Sequence, residues 1–265
     1  MRYYDRENKR LVYLKENASS EYWDSHWDGL SVKKIKTQRP QNNFCVKLTK
    51  KYLAESSIIL EGGCGFSDNV YALQTSGYKC VGIDFAKKTV KKVNELAPEL
   101  DVREGDVFDL KLEDNSLDGY WSLGVVEHFW DGYNGIANEM YRTIKKDGYL
   151  FLTFPAMSPL RKIKSKLFGY KNLTNKTNVD EFYQFALDPN LIIEHYESKG
   201  FELEEKFFFD AVKGIKDEVS LLKPILQKIY DGKFPKHGLL IRIIEKLFAQ
   251  YAGHCVCLVL QNKKR

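Results

Sequence analysis

The sequence predicts an α/β fold built on a doubly wound, mostly parallel sheet, and three observations carry that expectation. Short apolar runs and helical patterns alternate from residue 44 onward, the order expected of parallel βαβ units. Runs such as Tyr149-Leu150-Phe151-Leu152-Thr153-Phe154 are nearly continuously apolar, as central strands covered on both faces must be. The first run, Ile58-Ile59-Leu60-Glu61, enters a turn holding Gly62, Gly63 and Gly65. A strand that runs into a glycine turn and then a helix is how such folds build a nucleotide pocket.

The elements follow in order. Phe44, Leu48 and Tyr52 fall at helical spacing before the first strand. Val70 and Leu73 predict a short helix closed by Gly77, and Val81-Gly82-Ile83-Asp84 reads as a second strand. Val90, Val93 and Leu96 give another helix, stopped by Pro98, before a third strand at Val102–Val107. Residues 118–129 read as a fourth strand running into a loop. Ile136, Met140 and Ile144 line a helix with Gly148 as the expected cap, and 149–154 is the fifth strand. Asp188-Pro189 starts a helix that Gly200 ends. Phe201–Phe209 and His254–Gln261 bring the strands to seven. Three pieces lie outside this skeleton: an N-terminal segment, 1–43, expected as a lid, and insertions at 155–187 and 210–253 in the main domain, 44–265. The last insertion carries helical patterns and an apolar face at Leu240, Ile243, Ile244 and Leu247, read as packing or a homodimer contact.

Composition bounds the function. At 265 residues and 43% hydrophobic, the chain can bury a full core. It holds no run of 18 or more apolar residues and starts without an apolar signal region, so no membrane association is expected. Cys45, Cys64, Cys80, Cys255 and Cys257 show neither a disulfide framework nor metal spacing, which points to reduced thiols in the cytoplasm and to no metal. The net charge of +5 is mild. Basic clusters at Lys33, Lys34, Lys36, Arg39 and at Arg161, Lys162, Lys164, Lys166 would either attract phosphates or form a solvated face, and the second reading is preferred.

The glycine turn discriminates among ligands. The dinucleotide fingerprint asks for a third glycine where this chain has Asp68, and Glu61 before the turn would repel a pyrophosphate. A cationic ligand would be welcome there. Glu61-x-Gly63-x-Gly65 resembles the first motif of the S-adenosylmethionine-dependent methyltransferases of the Rossmann-like (class I) superfamily. Asp84 stands 19 residues after Gly65, where an acid meets two ribose hydroxyls. Gly105-Asp106-Val107 and Asp118–Phe129 resemble the third and fourth motifs. The resemblance covers roughly residues 44–155 and implies S-adenosyl-L-methionine as cofactor, with an antiparallel seventh strand. It implies that Glu61, Gly62, Gly63 and Gly65 hold the methionyl and ribose region, with Phe85 beside Asp84. By the same likeness Asp106 and Val107 face adenine, while Ser122 and Leu123 lie by the methionine end.

The acceptor side is less specific. His128, in the loop after the fourth strand, is the candidate general base, and a loop-shaping role for Glu127-His128 stands beside it. Tyr22, Trp23 and Trp27 resemble an aromatic lid over a sulfonium, or equally one apolar helix face. Phe154 and Tyr183 are candidates for the acceptor wall. A small metabolite or sugar-like acceptor is the favoured reading. A methyltransferase acting on RNA or protein, and a non-catalytic nucleotide-binding protein, are the alternatives. Nucleic acid is disfavoured because the fourth-motif loop lacks the Asn/Asp-Pro-Pro-Tyr/Phe quartet.

Overall fold

The predicted strands assemble into one sheet in the computed structural model, which describes residues 1–27, 29, 31–36, 40–167 and 169–264. The strands in chain order are β1 (Arg2–Asp5), β2 (Arg10–Leu14), β3 (Ile58–Gly62), β4 (Lys79–Asp84), β5 (Asp101–Glu104), β6 (Leu117–Leu123), β7 (Ile144–Pro155), β8 (Lys171–Asn172), β9 (Phe182–Ala186), β10 (Phe201–Phe209) and β11 (Cys255–Asn262). The main sheet runs β10-β11-β7-β6-β3-β4-β5, and β11 is antiparallel to both neighbours. The other pairs are parallel, so their carboxyl ends share one edge with the start of β11.

Strand alternation sorts side chains onto two cores. Ile59, Trp121, Phe151 and Val259 face the helices Phe44–Tyr52, Asp68–Thr75 and Lys87–Leu96. Leu60, Tyr120, Leu152 and Leu258 face the helices Asn134–Thr143 and Pro189–Ser198. Each such fully buried large side chain contributes roughly 1.5–3 kcal/mol. Trp121 stacks on Phe151 at 4.4 Å and donates its indole N–H to Thr49 Oγ1 at 2.9 Å, joining helix to sheet.

Three local expectations change. Gly148 is no helix cap: the helix stops at Thr143, β7 begins at Ile144, and Asp147 takes the left-handed turn (φ 63°). The insertion 210–253 holds a further helix, Ala211–Glu218, besides Lys223–Tyr230 and His237–Ala252. Two pieces treated as separate, the N-terminal segment and 155–187, share a second sheet of order β8-β1-β2-β9. In it Leu11 pairs with Ala186 and Val12 with Phe185. Its tight β1–β2 turn is held by the Asp5 carboxylate, which accepts from Asn8 and Arg10.

The second basic cluster divides: Lys166 is exposed and Lys162 pairs with Asp188, whereas Arg161 and Lys164 enter an internal clamp. Arg161 is fully buried and donates to Glu218 Oε1 (3.0 Å), the Ala156 carbonyl (2.8 Å) and His254 Nδ1 (2.8 Å). Arg2, Lys164 and Tyr170 donate to the same Glu218 carboxylate. These cations hold Glu218 below the usual carboxylate range despite its burial. Because Arg161 can only donate, His254 Nδ1 accepts, and burial keeps that imidazole neutral. The clamp ties β1, the helix Pro159–Lys166, the helix Ala211–Glu218 and the residue before β11. In the first cluster Lys36 pairs with Glu99 at 2.5 Å, and Arg39 lies outside the described residues.

Candidate active site

A cavity of about 430 Å³ opens at the carboxyl edge of the main sheet. Its floor is the turn after β3. Gly63 takes φ 75° and Gly65 φ 48°, conformations that favour glycine. The N–H groups of Gly63 and Cys64 donate to the Ile83 carbonyl at 2.8 and 3.1 Å, binding the turn to β4. A side chain on Gly63 would meet Val125 Cγ2 at 2.5 Å. Asp84, buried at the end of β4, accepts from Gly65 N–H at 2.8 Å and Ala86 N–H at 2.9 Å. Turn and carboxylate therefore fix one another. Burial raises the Asp84 pKa while the two amides oppose the rise.

One side is apolar. Asp106 accepts from the Phe108 N–H at 2.9 Å, which holds a short turn after β5. Phe108 meets Phe129 edge to face at 4.7 Å, and Phe85, Val107, Leu123 and Val125 complete that wall.

The helix Ser20–His26 covers the opening, capped by Ser19. Trp23 and Trp27, stacked at 6.1 Å, face the cavity. Trp27 packs on Phe66 at 5.0 Å and closes on Gly65. The covering helix is anchored at a distance: Asp24 Oδ1 accepts from Thr89 N–H at 2.9 Å and Thr89 Oγ1 at 3.1 Å. Thr89 lies in the first turn of the helix Lys87–Leu96, whose own cap position is Ala86. Asp24 thus supplies the carboxylate that this helix N-terminus lacks.

His128 reaches the cavity from the loop after β6. Its Nδ1 lies 2.6 Å from the Tyr183 carbonyl oxygen. A carbonyl only accepts, so Nδ1 carries the hydrogen and Nε2 keeps a free lone pair. Burial pushes the His128 pKa down to about 4, so the ring is neutral near pH 7. Trp23 and Tyr183 each contact it edge to face at 5.1 Å, and Tyr22 packs on Tyr183 at 5.7 Å.

Two carboxyls lie at the same edge. Glu61 accepts from Asn69 Nδ2 at 2.9 Å, and Asn69 in turn accepts from Asn43 at 3.0 Å. Its other oxygen has no partner among the described residues, and burial pushes its pKa up to about 8. Glu127 is likewise buried, raised to about 8, with Oε2 unpartnered. Ser122 Oγ is a third such orphan.

Gly63, Gly65, Asp84, Phe85, Asp106, Val107, Leu123, His128, Trp23 and Trp27 all border the cavity. Glu61, Gly62 and Ser122 lie off its wall, at the ends of their strands. Gly62 has a different reason to be glycine: a side chain there would stand 2.2 Å from the Tyr120 hydroxyl oxygen. Tyr22 and Tyr183 stand behind His128. Phe154 does not line the cavity; strand parity turns it into the core with Leu150 and Leu152. Sequence reasoning missed Ala18, Gly105, Phe108, Gly124, Val125 and Phe129. Phe108 directly follows the third motif and Phe129 is the last residue of the fourth, and that position was the available signal.

Comparison with known proteins agrees with this geometry. A family model described as a methyltransferase domain matches residues 60–152. A probable S-adenosylmethionine-dependent methyltransferase of Mycolicibacterium smegmatis is 27% identical over 150 residues, which is 56% of this chain and 52% of that protein. The chain thus spans about half the length of the curated relatives it matches. A solved protein of Pyrococcus horikoshii OT3 superposes with a TM-score of 0.56 at 17% identity, covering 91% of this chain and 99% of its own. A putative sarcosine dimethylglycine methyltransferase of Galdieria sulphuraria gives 0.53 at 15% identity, covering 92% and 97%. Sheet order, the glycine turn against Asp84 and the matched region agree: residues 60–152 are similar to a methyltransferase domain, carried on the fold that the chain shares with these solved proteins.

Proposed function

We propose that the chain binds S-adenosyl-L-methionine in this cavity and transfers its methyl group to a small-molecule acceptor, a metabolite or sugar-like compound. The observation that carries the reading is the Gly63–Gly65 turn locked to Asp84, with His128 lining the same cavity. The residues fit the cofactor. Asp84, held by two amides, has lone pairs left for two ribose hydroxyls. Asp106, with Phe85, Val107 and Phe108, suits an adenine amine and ring. Trp23 and Trp27 offer aromatic faces to a cation. Glu61 and Ser122, just behind the cavity wall, each keep an unpartnered oxygen, which supports a methionyl ammonium as their partner, and such a cation would return Glu61 to its charged form.

The cofactor, when bound, supplies a methyl carbon already activated by its sulfonium leaving group. The protein then mainly orients and excludes water. The helix Ser20–His26 acts as the lid, latched by Asp24. His128 Nε2 takes the proton from a hydroxyl or ammonium acceptor while Nδ1–H stays on the Tyr183 carbonyl. Tyr183, packed on that base, and Tyr22, packed on Tyr183, brace it from behind the cavity wall. All five cysteines are free, in keeping with a reducing compartment such as the cytoplasm.

The test is incubation with methyl-labelled S-adenosylmethionine and a panel of hydroxyl- and amine-bearing metabolites, with cellular RNA and protein fractions alongside. Label is expected in a small-molecule product. Label confined to the RNA or protein fraction would overturn the acceptor class.

A further inference from the structure

Most of the exposed apolar surface of the described residues lies outside the cavity walls. Among the described residues, ten of the nineteen well-exposed large apolar side chains fall between Leu221 and Tyr251, within the insertion that joins β10 to β11. The helix His237–Ala252 buries Leu240, Ile241 and Ile244 against Val212, Leu226 and Ile229. Its opposite stripe, Leu239, Ile243, Leu247 and Tyr251, recurs every four residues and points outward, Leu247 at 67% exposure. Leu221, 87% exposed, and Ile225 extend the apolar surface onto the preceding helical segment. The predicted face over Leu240–Leu247 is therefore two faces, one packed and one open.

The open face is bordered by cations. Lys223, Lys228, Lys236, Arg242 and Lys246 are exposed, and none has a carboxylate within ion-pair distance among the described residues. The stretch 220–252 contains only two acids. Asp231 lies 3.8 Å from Lys233, and Glu245 turns inward to accept from the Ala211 N–H. Apolar side chains set among unpaired cations match an interface of hydrocarbon beneath anionic head groups. A second copy of this chain fits worse, because a two-fold contact would set the cations against their own kind. Nucleic acid offers the phosphates but nothing for Leu239, Ile243 and Leu247, which cannot stack on bases.

We infer that the face formed by the helices Lys223–Tyr230 and His237–Ala252 docks the protein on the surface of an anionic lipid bilayer, lying on it rather than crossing it. No helix among the described residues is long and apolar enough to cross. Because β10 ends and β11 begins at the carboxyl edge, the docking face is carried by the same end of the sheet as the cavity.

Flotation of the full chain with phospholipid vesicles tests this without cofactor or acceptor, so its outcome is independent of the methyl-transfer reading. The chain is expected to float with vesicles of equal parts phosphatidylglycerol and phosphatidylcholine, and about tenfold less with phosphatidylcholine alone. Leu247→Glu, and separately the double change Arg242→Glu with Lys246→Glu, are each expected to weaken flotation about tenfold or more while circular dichroism is unchanged. Failure to float with the anionic vesicles, or flotation indifferent to Leu247→Glu, overturns the proposal. So does a dimer in sedimentation velocity that Leu247→Glu dissolves, or capture by RNA in place of vesicles.

Discussion

Asp84 is fixed by two backbone amides and His128 by one backbone carbonyl. Asp84 was legible because 19 residues separate it from Gly65, a spacing that one βαβ unit imposes. What made it a formed acceptor, the amides of Gly65 and Ala86, came only with the turn. His128 was legible as a candidate base, but not the contact that fixes its tautomer. Its free Nε2 depends on the carbonyl of Tyr183, which is 55 residues away in sequence. Phe154 shows the opposite failure: an aromatic at a strand end faces pocket or core according to parity alone, and parity put it in the core. The base role makes a kinetic prediction. His128→Gln should lower kcat by about 10²–10⁴-fold while leaving S-adenosylhomocysteine affinity intact. The sign of the pH effect follows from burial: the accepting form persists until pH falls to about 4, so the acid limb of kcat lies well below the ordinary histidine range. Unchanged kcat in the variant would return His128 to a purely structural role.

Element by element, the apolar runs and their stop signals located all seven strands of the main sheet, since burial on both faces leaves a strong local pattern. The second sheet left none. β1 and β2 are short and rich in tyrosine and arginine, and their outer partners, β8 beside β1 and β9 beside β2, lie about 170 residues on. Two tertiary devices were equally invisible. The first is Asp24, which caps a helix in another part of the chain and so holds the covering helix down. Asp24→Ala should cost about 1 kcal/mol of cap stability. It should show as faster release of S-adenosylhomocysteine in stopped-flow tryptophan fluorescence, with Trp23 and Trp27 as reporters. An unchanged release rate would mean that the helix stays closed without its latch. The second device is the Arg161–Glu218 clamp, read in sequence as part of a surface run. Arg161→Met leaves Glu218 buried with fewer cations, and urea unfolding should show a loss of about 3–5 kcal/mol. An unaltered midpoint would show that Arg2 and Lys164 suffice.

At the scale of the molecule, the carboxyl edge of one sheet collects everything that acts. The β3 turn, Asp84, Asp106 and the loop of His128 arrive there because their strands are parallel. The N-terminal segment and both insertions reach the same edge, through the second sheet and the antiparallel β11. The parallel skeleton was readable because its pattern repeats locally, whereas the pieces above the edge take their shape from one another. The central claim is that this edge holds an adenosyl cation rather than a dinucleotide. Calorimetric titration with S-adenosylmethionine, S-adenosylhomocysteine and NADH tests it most directly, in the natural chain and in Asp84→Ala. Binding of the first two alone is expected, weakened by about 1–3 kcal/mol in the variant through loss of charged hydrogen bonds. Binding of NADH, or S-adenosylhomocysteine affinity unchanged in Asp84→Ala, would contradict it.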